Sequence, residues 1–366
     1  MIIGVLKCTE ENLVAMVPKV VSKYQKGDFE IMIETGAGAA SNYPDDQYEE
    51  LGVKVAPRKE VLAQSDILLT VFGINIDELD QVKKEAMIIG KFNGRVESEL
   101  LTALKQCEAN AYSLDLLPRS TIAQSMDVLS SLASLSGYKA VVLGADNFGG
   151  YLPMMTTSAG TIPPAKVMVL GAGVAGLQAI ATAKRLGAMI EVFDVRSAVK
   201  EEVQSLGAKF IEVEGAQESA DAGGYAIQQS DEYIAKQKEL IHQTAMKSDI
   251  VITTANIPGR QAPLLIEEKT VKAMKAGSVI IDMATASGGN VALSKDNETV
   301  EIEGVKIIGD TKLYNHMGAQ SSFVYSNNIY NFLSFVLKEG KDNIPYDNEI
   351  VKNTLLKVEQ EESVSA

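Results

Sequence analysis

The stretch Val167-Met168-Val169-Leu170-Gly171-Ala172-Gly173-Val174-Ala175-Gly176 decides the fold. Four apolar residues read as a buried strand, and the glycines that follow open a helix. Gly171 permits the tight turn after the strand. Gly173 lets the backbone approach a pyrophosphate, and Gly176 lets the helix pack closely on the sheet. The helix N-terminus then offers free N–H groups and the positive end of its dipole to phosphate, with Val174 and Ala175 in its first turn. Asp194 stands 23 residues after Gly171, at the end of the next strand. A carboxylate there accepts both ribose hydroxyls and repels a 2′-phosphate, so the pattern points to NAD(H) rather than NADP(H). Arg196 is suited to a 2′-phosphate, but Asp194 weighs more because it occupies the strand terminus itself.

Working outward, the pattern predicts strands at Val167–Leu170, Met189–Phe193, Lys209–Val213, Ile250–Thr254, Ser278–Asp282 and Val305–Ile308. Earlier in the chain it predicts strands at Ile2–Leu6, Glu30–Glu34, Lys54–Ala56, Asp66–Phe72, Met87–Phe92 and Ala111–Asp115. Helical patterns alternate with them, for example Glu97–Cys107 and Val128–Leu143. The expected class is α/β: two Rossmann-like, doubly wound parallel-sheet domains with a cleft between them. The expected division is 1–126 plus 317–366 for a flanking domain and 127–316 for the NAD(H)-binding domain. The helix Ser322–Lys338 is expected to return to the first domain. Leu152–Pro164, rich in Pro, Thr and Gly, reads as the entry to the second. Residues 214–238, with Ala222-Gly223-Gly224-Tyr225, read as a long functional loop or lid.

A net charge of −14 argues against nucleic acid, which needs a basic footprint, and against anionic lipid. Two cysteines, Cys8 and Cys107, are too few for a disulfide framework, and no CxxC suggests zinc. No metal site is expected. The N-terminus lacks the basic, then long apolar, pattern of a secretory signal. The uncharged run 167–183 is short for a membrane span and carries three phosphate-loop glycines, so it reads as strand, turn and helix. A soluble chain in a reduced, cytoplasmic compartment is expected. His242 reads as a surface residue, His316 as structural and Cys8 as core. Met154, Met155, Met168 and Met283 are expected to pack.

Two polar segments stay open on local sequence. Thr253-Thr254-Ala255-Asn256-Ile257-Pro258-Gly259 follows a strand end, where ligands lie in such sheets, but an ordinary strand-to-helix turn reads the same way. Arg119, Gln124, Asp127 and Ser130 lie on a loop and the start of a helix. Asp127 and Ser130 share a helical face, but spacing alone favours the plainer reading, with Asp127 or Ser125 as an N-cap and Arg119 as a surface charge.

The run Pro118-Arg119, Ala123-Gln124-Ser125-Met126-Asp127-Val128-Leu129-Ser130-Ser131, then Gly137-Tyr138, resembles the NAD(H)-binding component, domain I, of proton-translocating transhydrogenase. So do Leu152-Pro153-Met154-Met155-Thr156, Ala159 to Lys166, Gly171 to Ala179, Asp194-Val195-Arg196, Gly223-Gly224-Tyr225 and Ile257-Pro258-Gly259-Arg260. The likeness runs over essentially the whole chain and is sharpest between about 115 and 290. The resemblance implies an oxidoreductase and translocase component that passes a hydride directly between NAD(H) bound here and NADP(H) on a partner component. A membrane-spanning component would couple this to proton movement. It implies Re/Si specificity, a homodimer, inactivity without partners, and a place peripheral to the inner membrane. It also implies that Arg119, Gln124, Asp127 and Ser130 surround the nicotinamide. Val174, Ala175, Gly176, Asp194, Val195 and Arg196 hold pyrophosphate and adenosine. Gly224 and Tyr225 belong to a closing loop with Gln237 behind it, and Asn256 lies beside the cofactor where the family often has Leu.

Alanine dehydrogenase is the related alternative. Those enzymes carry a Lys-Glu-Pro run and a later His, whereas this chain reads Leu69-Thr70-Val71-Phe72-Gly73-Ile74 and Lys91-Phe92-Asn93-Gly94. Amino-acid oxidation needs a proton acceptor near the reacting carbon, while transfer between two nicotinamides needs only alignment and dryness. A non-catalytic, NADH-responsive binding module is the third reading.

Overall fold

The computed structural model describes residues 1–213, 231–256 and 259–357. The chain separates into two compact units. One is Met1–Leu132 with the described portion of Asn315–Ala366, and the other is Ala133–Tyr314.

In the first unit the strands are β1 (Ile2–Val5), β2 (Glu30–Glu34), β3 (Lys54–Ala56), β4 (Ile67–Leu69), β5 (Met87–Gly90) and β6 (Asn110–Ser113). They pair in parallel in the order β6-β5-β4-β1-β2-β3. The chain leaves β1 toward one side for β2 and β3 and returns to the other side for β4, which is the doubly wound arrangement. A two-residue strand, Leu355–Leu356, adds antiparallel to β6. The central strands are apolar on both faces, as a sheet covered by helices requires. Helix ends follow local chemistry: Pro18 begins Pro18–Gln25, and the Ser98 hydroxyl accepts the Leu101 N–H at 3.1 Å to start Glu99–Gln106. Gly4 on β1 cannot be larger, since a Cβ there would meet the Ser65 hydroxyl at 2.0 Å. The helix Gly318–Val336 lies in this unit and starts four residues before the expected Ser322.

The second unit adds a hairpin, β7 (Met155–Thr157) and β8 (Gly160–Ile162), then β9 (Lys166–Leu170), β10 (Met189–Phe193), β11 (Lys209–Ile211), β12 (Ile250–Thr253), β13 (Val279–Asp282), β14 (Thr299–Ile302) and β15 (Val305–Gly309). Its seven-stranded sheet runs β11-β10-β9-β12-β13-β15-β14. All pairs are parallel except β14 with β15. Val167, Val169, Ile250, Ile252 and Ile281 fill one face and Met168, Leu170, Val251 and Ile280 the other.

The sheets are therefore not wholly parallel, and each has one antiparallel edge. Glu303-Gly304 makes the turn between β14 and β15 with φ of 50° and 78°. A non-glycine at the first left-handed position gives little sequence signal. The hairpin β7–β8 lies within the entry segment Leu152–Pro164. Helix Val128–Asn147 runs past the expected end at Leu143, because Gly144 lies against Ile250 rather than stopping the helix. This helix is long and apolar enough to cross a membrane, but its Ala140 and Val141 are buried in the second unit's core.

Met168 and Met283 pack as expected, but Met154 is 66% exposed. His242 is half-buried rather than on the surface, with its Nδ1 2.9 Å from the Thr270 hydroxyl.

Candidate functional site

At the carboxyl end of β9 the chain turns through Gly171, whose φ of +100° suits glycine. A Cβ at Gly176 would sit 1.9 Å from the Gly171 carbonyl oxygen, so the helix Val174–Arg185 reaches the turn only because residue 176 has no side chain. Gly173 is the N-cap, and a Cβ built there meets nothing within 4 Å. Its backbone faces open space beside the first helical N–H groups, the cradle a pyrophosphate requires. Val174 is exposed and Ala175 half-buried in that first turn. Gly137 was absent from the expected site. A Cβ there would lie 2.1 Å from the Ala175 carbonyl oxygen, so helix Val128–Asn147 presses directly on the start of helix Val174–Arg185.

Asp194 follows β10 and is 9% exposed. Its Oδ2 accepts the Ala172 N–H at 2.7 Å, and Oδ1 accepts the Arg196 N–H at 2.9 Å. The Arg196 guanidinium donates to the same carboxylate from Nε at 2.9 Å and from Nη2 at 2.8 Å. Hydrogen bonding to Asp194 holds the Arg196 guanidinium above its usual pKa range. The two residues that sequence reasoning set against each other thus form one bidentate pair, with Val195 half-buried between them.

The segment after β12 is fastened by Thr254 and by Asn290 and Asp282, and sequence reading gave the last two no role. Thr254 donates from Oγ1 to the Gly171 carbonyl at 3.0 Å, linking the two strand ends. Asn290 is fully buried; its Nδ2 donates to the carbonyls of Ala255 (2.9 Å) and Pro263 (2.8 Å), and its Oδ1 accepts the Ala255 N–H (3.2 Å). Asp282, also fully buried, accepts from Thr253 Oγ1, Ala284 N, Asn290 N, Val291 N and Ser294 Oγ. Five donors compensate the buried charge. Gly288-Gly289 before Asn290, with φ of 99° and 81°, was the available signal. Asn256 is exposed on the segment so held. Gly224 and Tyr225 lie outside the described residues. Gln237 is half-buried on helix Asp231–Ala245. Among the described residues no cluster of three or more His, Cys, Asp or Glu could hold a metal.

In the first unit, Arg119 and Gln124 are exposed. Asp127 takes the capping geometry: Oδ1 accepts the Ser130 N–H at 2.9 Å and Oδ2 the Ser130 hydroxyl at 2.5 Å. Lys91 is 8% exposed and pairs with Glu11, Nζ to Oε1 at 3.1 Å. Asp115 accepts the following Phe92 and Gly94 N–H groups.

The glycine turn, the helix start and the acid at the next strand end define a dinucleotide-binding unit of the dehydrogenase class. The family models for alanine dehydrogenase/PNT match residues 7–136 with the N-terminal domain and 140–363 with the C-terminal domain. The chain belongs to this alanine dehydrogenase/PNT family. It is 42% identical over 359 residues to a Rhodospirillum rubrum protein named as a part of NAD(P) transhydrogenase subunit alpha, covering 96% of this chain and 91% of that one. The crystal structure of transhydrogenase from Sinorhizobium meliloti superposes with a TM-score of 0.88 at 39% identity, covering 98% of each chain. An L-alanine dehydrogenase structure shares the fold, with a TM-score of 0.79 at 22% identity over 97% of this chain and 94% of that one. By homology the chain is an oxidoreductase component of transhydrogenase type with a nicotinamide-nucleotide-binding fold.

Proposed function

We propose that this chain is the NAD(H)-binding component of a proton-translocating transhydrogenase. The observation that carries this is the open backbone at Gly173, beside a helix N-terminus and next to the Asp194 strand end, in a chain homologous to transhydrogenase alpha subunits. Gly171, Gly173, Val174, Ala175 and Gly176 would hold the pyrophosphate, and Asp194, Val195 and Arg196 the adenosine ribose. Asn256, on the segment fastened by Asn290, and Gln237 would stand beside the bound nucleotide.

When bound, the dihydronicotinamide would supply a hydride, two electrons and one proton nucleus together, to the oxidised nicotinamide of NADP+ on a partner component, leaving NAD+ on this chain. The chain therefore needs no general acid or base. Arg119, Gln124, Asp127 and Ser130 would orient the ring and exclude water. The buried Lys91–Glu11 pair supports this reading over amino-acid oxidation, because Lys91 is committed to a carboxylate.

A membrane-spanning component would couple the transfer to proton movement, with this chain on the cytoplasmic side, peripheral to the inner membrane. A homodimer is the proposed assembly. The hairpin β7–β8 supports it: its strands are exposed, Met154 and Ile162 are 66% and 44% exposed, and a lone two-stranded ribbon is marginal in water.

The test is reconstitution. Purified chain is mixed with NADPH and an oxidised NAD analogue, with and without an NADP(H)-binding transhydrogenase component. Reduction only when both components are present supports the proposal. No reduction with a competent partner refutes it, and NADH formation from L-alanine by the chain alone would favour the dehydrogenase.

A further inference from the structure

The 3₁₀ turn Ala123–Met126 presents Gln124 to solvent while Ala123 and Met126 are buried at 1% and 4% exposure. Asp127 follows directly and caps the next helix. Within the turn, the Gln124 carbonyl accepts the Asp127 N–H at 3.3 Å. The Ser125 carbonyl is held differently. Asn328 and Asn331, about 200 residues further along, both donate to it from Nδ2 at 2.9 Å. They are three apart on helix Gly318–Val336 and so share a face. Two donors match the two lone pairs of a carbonyl, so the oxygen is pinned in position and in direction.

The same helix fastens other loops of this unit. Ser322 Oγ accepts the Val14 N–H and Ser326 Oγ the Val17 N–H, each at 3.0 Å. Tyr325 donates to the carbonyls of Thr70 and Val71. Asn328 stands apart because its bond comes at a cost: it is 6% exposed, and its Oδ1 has no hydrogen-bond partner among the described residues. An apolar residue of the same branched shape would avoid that orphan. Burial alone therefore does not favour Asn at this position.

We propose that Asn328 and Asn331 are positioning residues for hydride transfer, acting through the Ser125 carbonyl to fix the turn that carries Gln124 and leads into Asp127. This rests on the transhydrogenase reading above. In that reading Gly171 to Gly176 and Asp194 to Arg196 hold the phosphates and adenosine, so loosening the turn degrades ring alignment without releasing nucleotide. A misplacement of about 1 Å costs up to about a hundredfold in rate.

The experiment uses the full chain reconstituted with its NADP(H)-binding partner component. Asn328→Leu removes the donor and the orphan together, and Asn331→Ala removes the second donor from a half-buried position. Each variant is expected to lower single-turnover hydride transfer about tenfold, and the pair further. The NADH dissociation constant is expected to stay within about twofold, and Tm to hold or rise for Asn328→Leu. Unchanged transfer overturns the proposal. So does a fall in Tm and NADH affinity that parallels the fall in rate, which would make the amides a fold brace. The wild-type assembly separates the two questions. If it transfers no hydride the transhydrogenase reading fails and this proposal with it, whereas an active wild type with equally active variants overturns this proposal alone.

Discussion

Replacing Gly173 by Ala separates folding from binding within one glycine motif. Residue 173 has φ −78° and ψ −169°, which alanine adopts freely, and its Cβ would have no neighbour within 4 Å. Alanine is a somewhat poorer N-cap than glycine, but it also restricts the unfolded chain by about 0.4–1 kcal/mol. The two effects nearly cancel, so stability should change by no more than about 0.5 kcal/mol and Tm by about 2 °C. A pyrophosphate oxygen bonded to the helix-terminal N–H groups, however, needs the space the methyl takes. Losing one or two charge-assisted hydrogen bonds costs about 2–3 kcal/mol, or about 30- to 150-fold in NADH affinity. Gly176→Ala is the counterpart. Its Cβ would start 1.9 Å from the Gly171 oxygen, where real contacts begin near 3.0 Å, so backbone must move. We expect a loss of about 3 kcal/mol and about 6–12 °C in Tm. The chain has no tryptophan, so NADH fluorescence can be followed directly, with calorimetry for Tm. An unchanged NADH dissociation constant in Gly173→Ala would refute the placement of the pyrophosphate against this backbone.

Asp194→Asn keeps an acceptor for the Ala172 N–H but removes the charge that holds Arg196; NADH should bind about tenfold more weakly and NADPH more tightly, and titration with both nucleotides checks it. Asp127→Ala should cost about 1 kcal/mol through loss of the cap on Ser130 N–H, whereas Asp127→Asn should keep that stability. If Asp127→Asn also keeps full hydride transfer in the reconstituted assay, the residue is a cap only. In the first unit, Arg58 joins Glu78, Glu34 and the carbonyl of Gly73, and its hydrogen bonds hold the Glu78 carboxyl below the usual range. A depressed carboxylate stabilises the fold fully above its unfolded pKa of about 4.3, and that stability is lost as pH falls through the lower folded value. Arg58→Ala should therefore cost about 2 kcal/mol at pH 7, with the gap from wild type closing below about pH 4 in denaturant titrations.

Local sequence was sufficient wherever a short run carried its own physics. The apolar run 167–170, the glycine spacing and Asp194 predicted strand, turn, helix and acid, and the structure has them in that order. β2, β3 and β10 have the expected limits, since each is a compact apolar or alternating run bounded by turns. The dinucleotide motif was legible because its glycines answer local demands. The antiparallel edges were not, because β14 needs β15 beside it and Leu355–Leu356 needs β6; neither run is long enough to announce itself. Tertiary structure alone decided that Arg196 turns onto Asp194, that Asn290 grips both ends of the segment after β12, and that Asn328 and Asn331 meet Ser125 across about 200 residues of sequence. A hydrogen bond depends on distance and angle in space, and sequence spacing specifies these only within a turn or two of helix or across a tight hairpin.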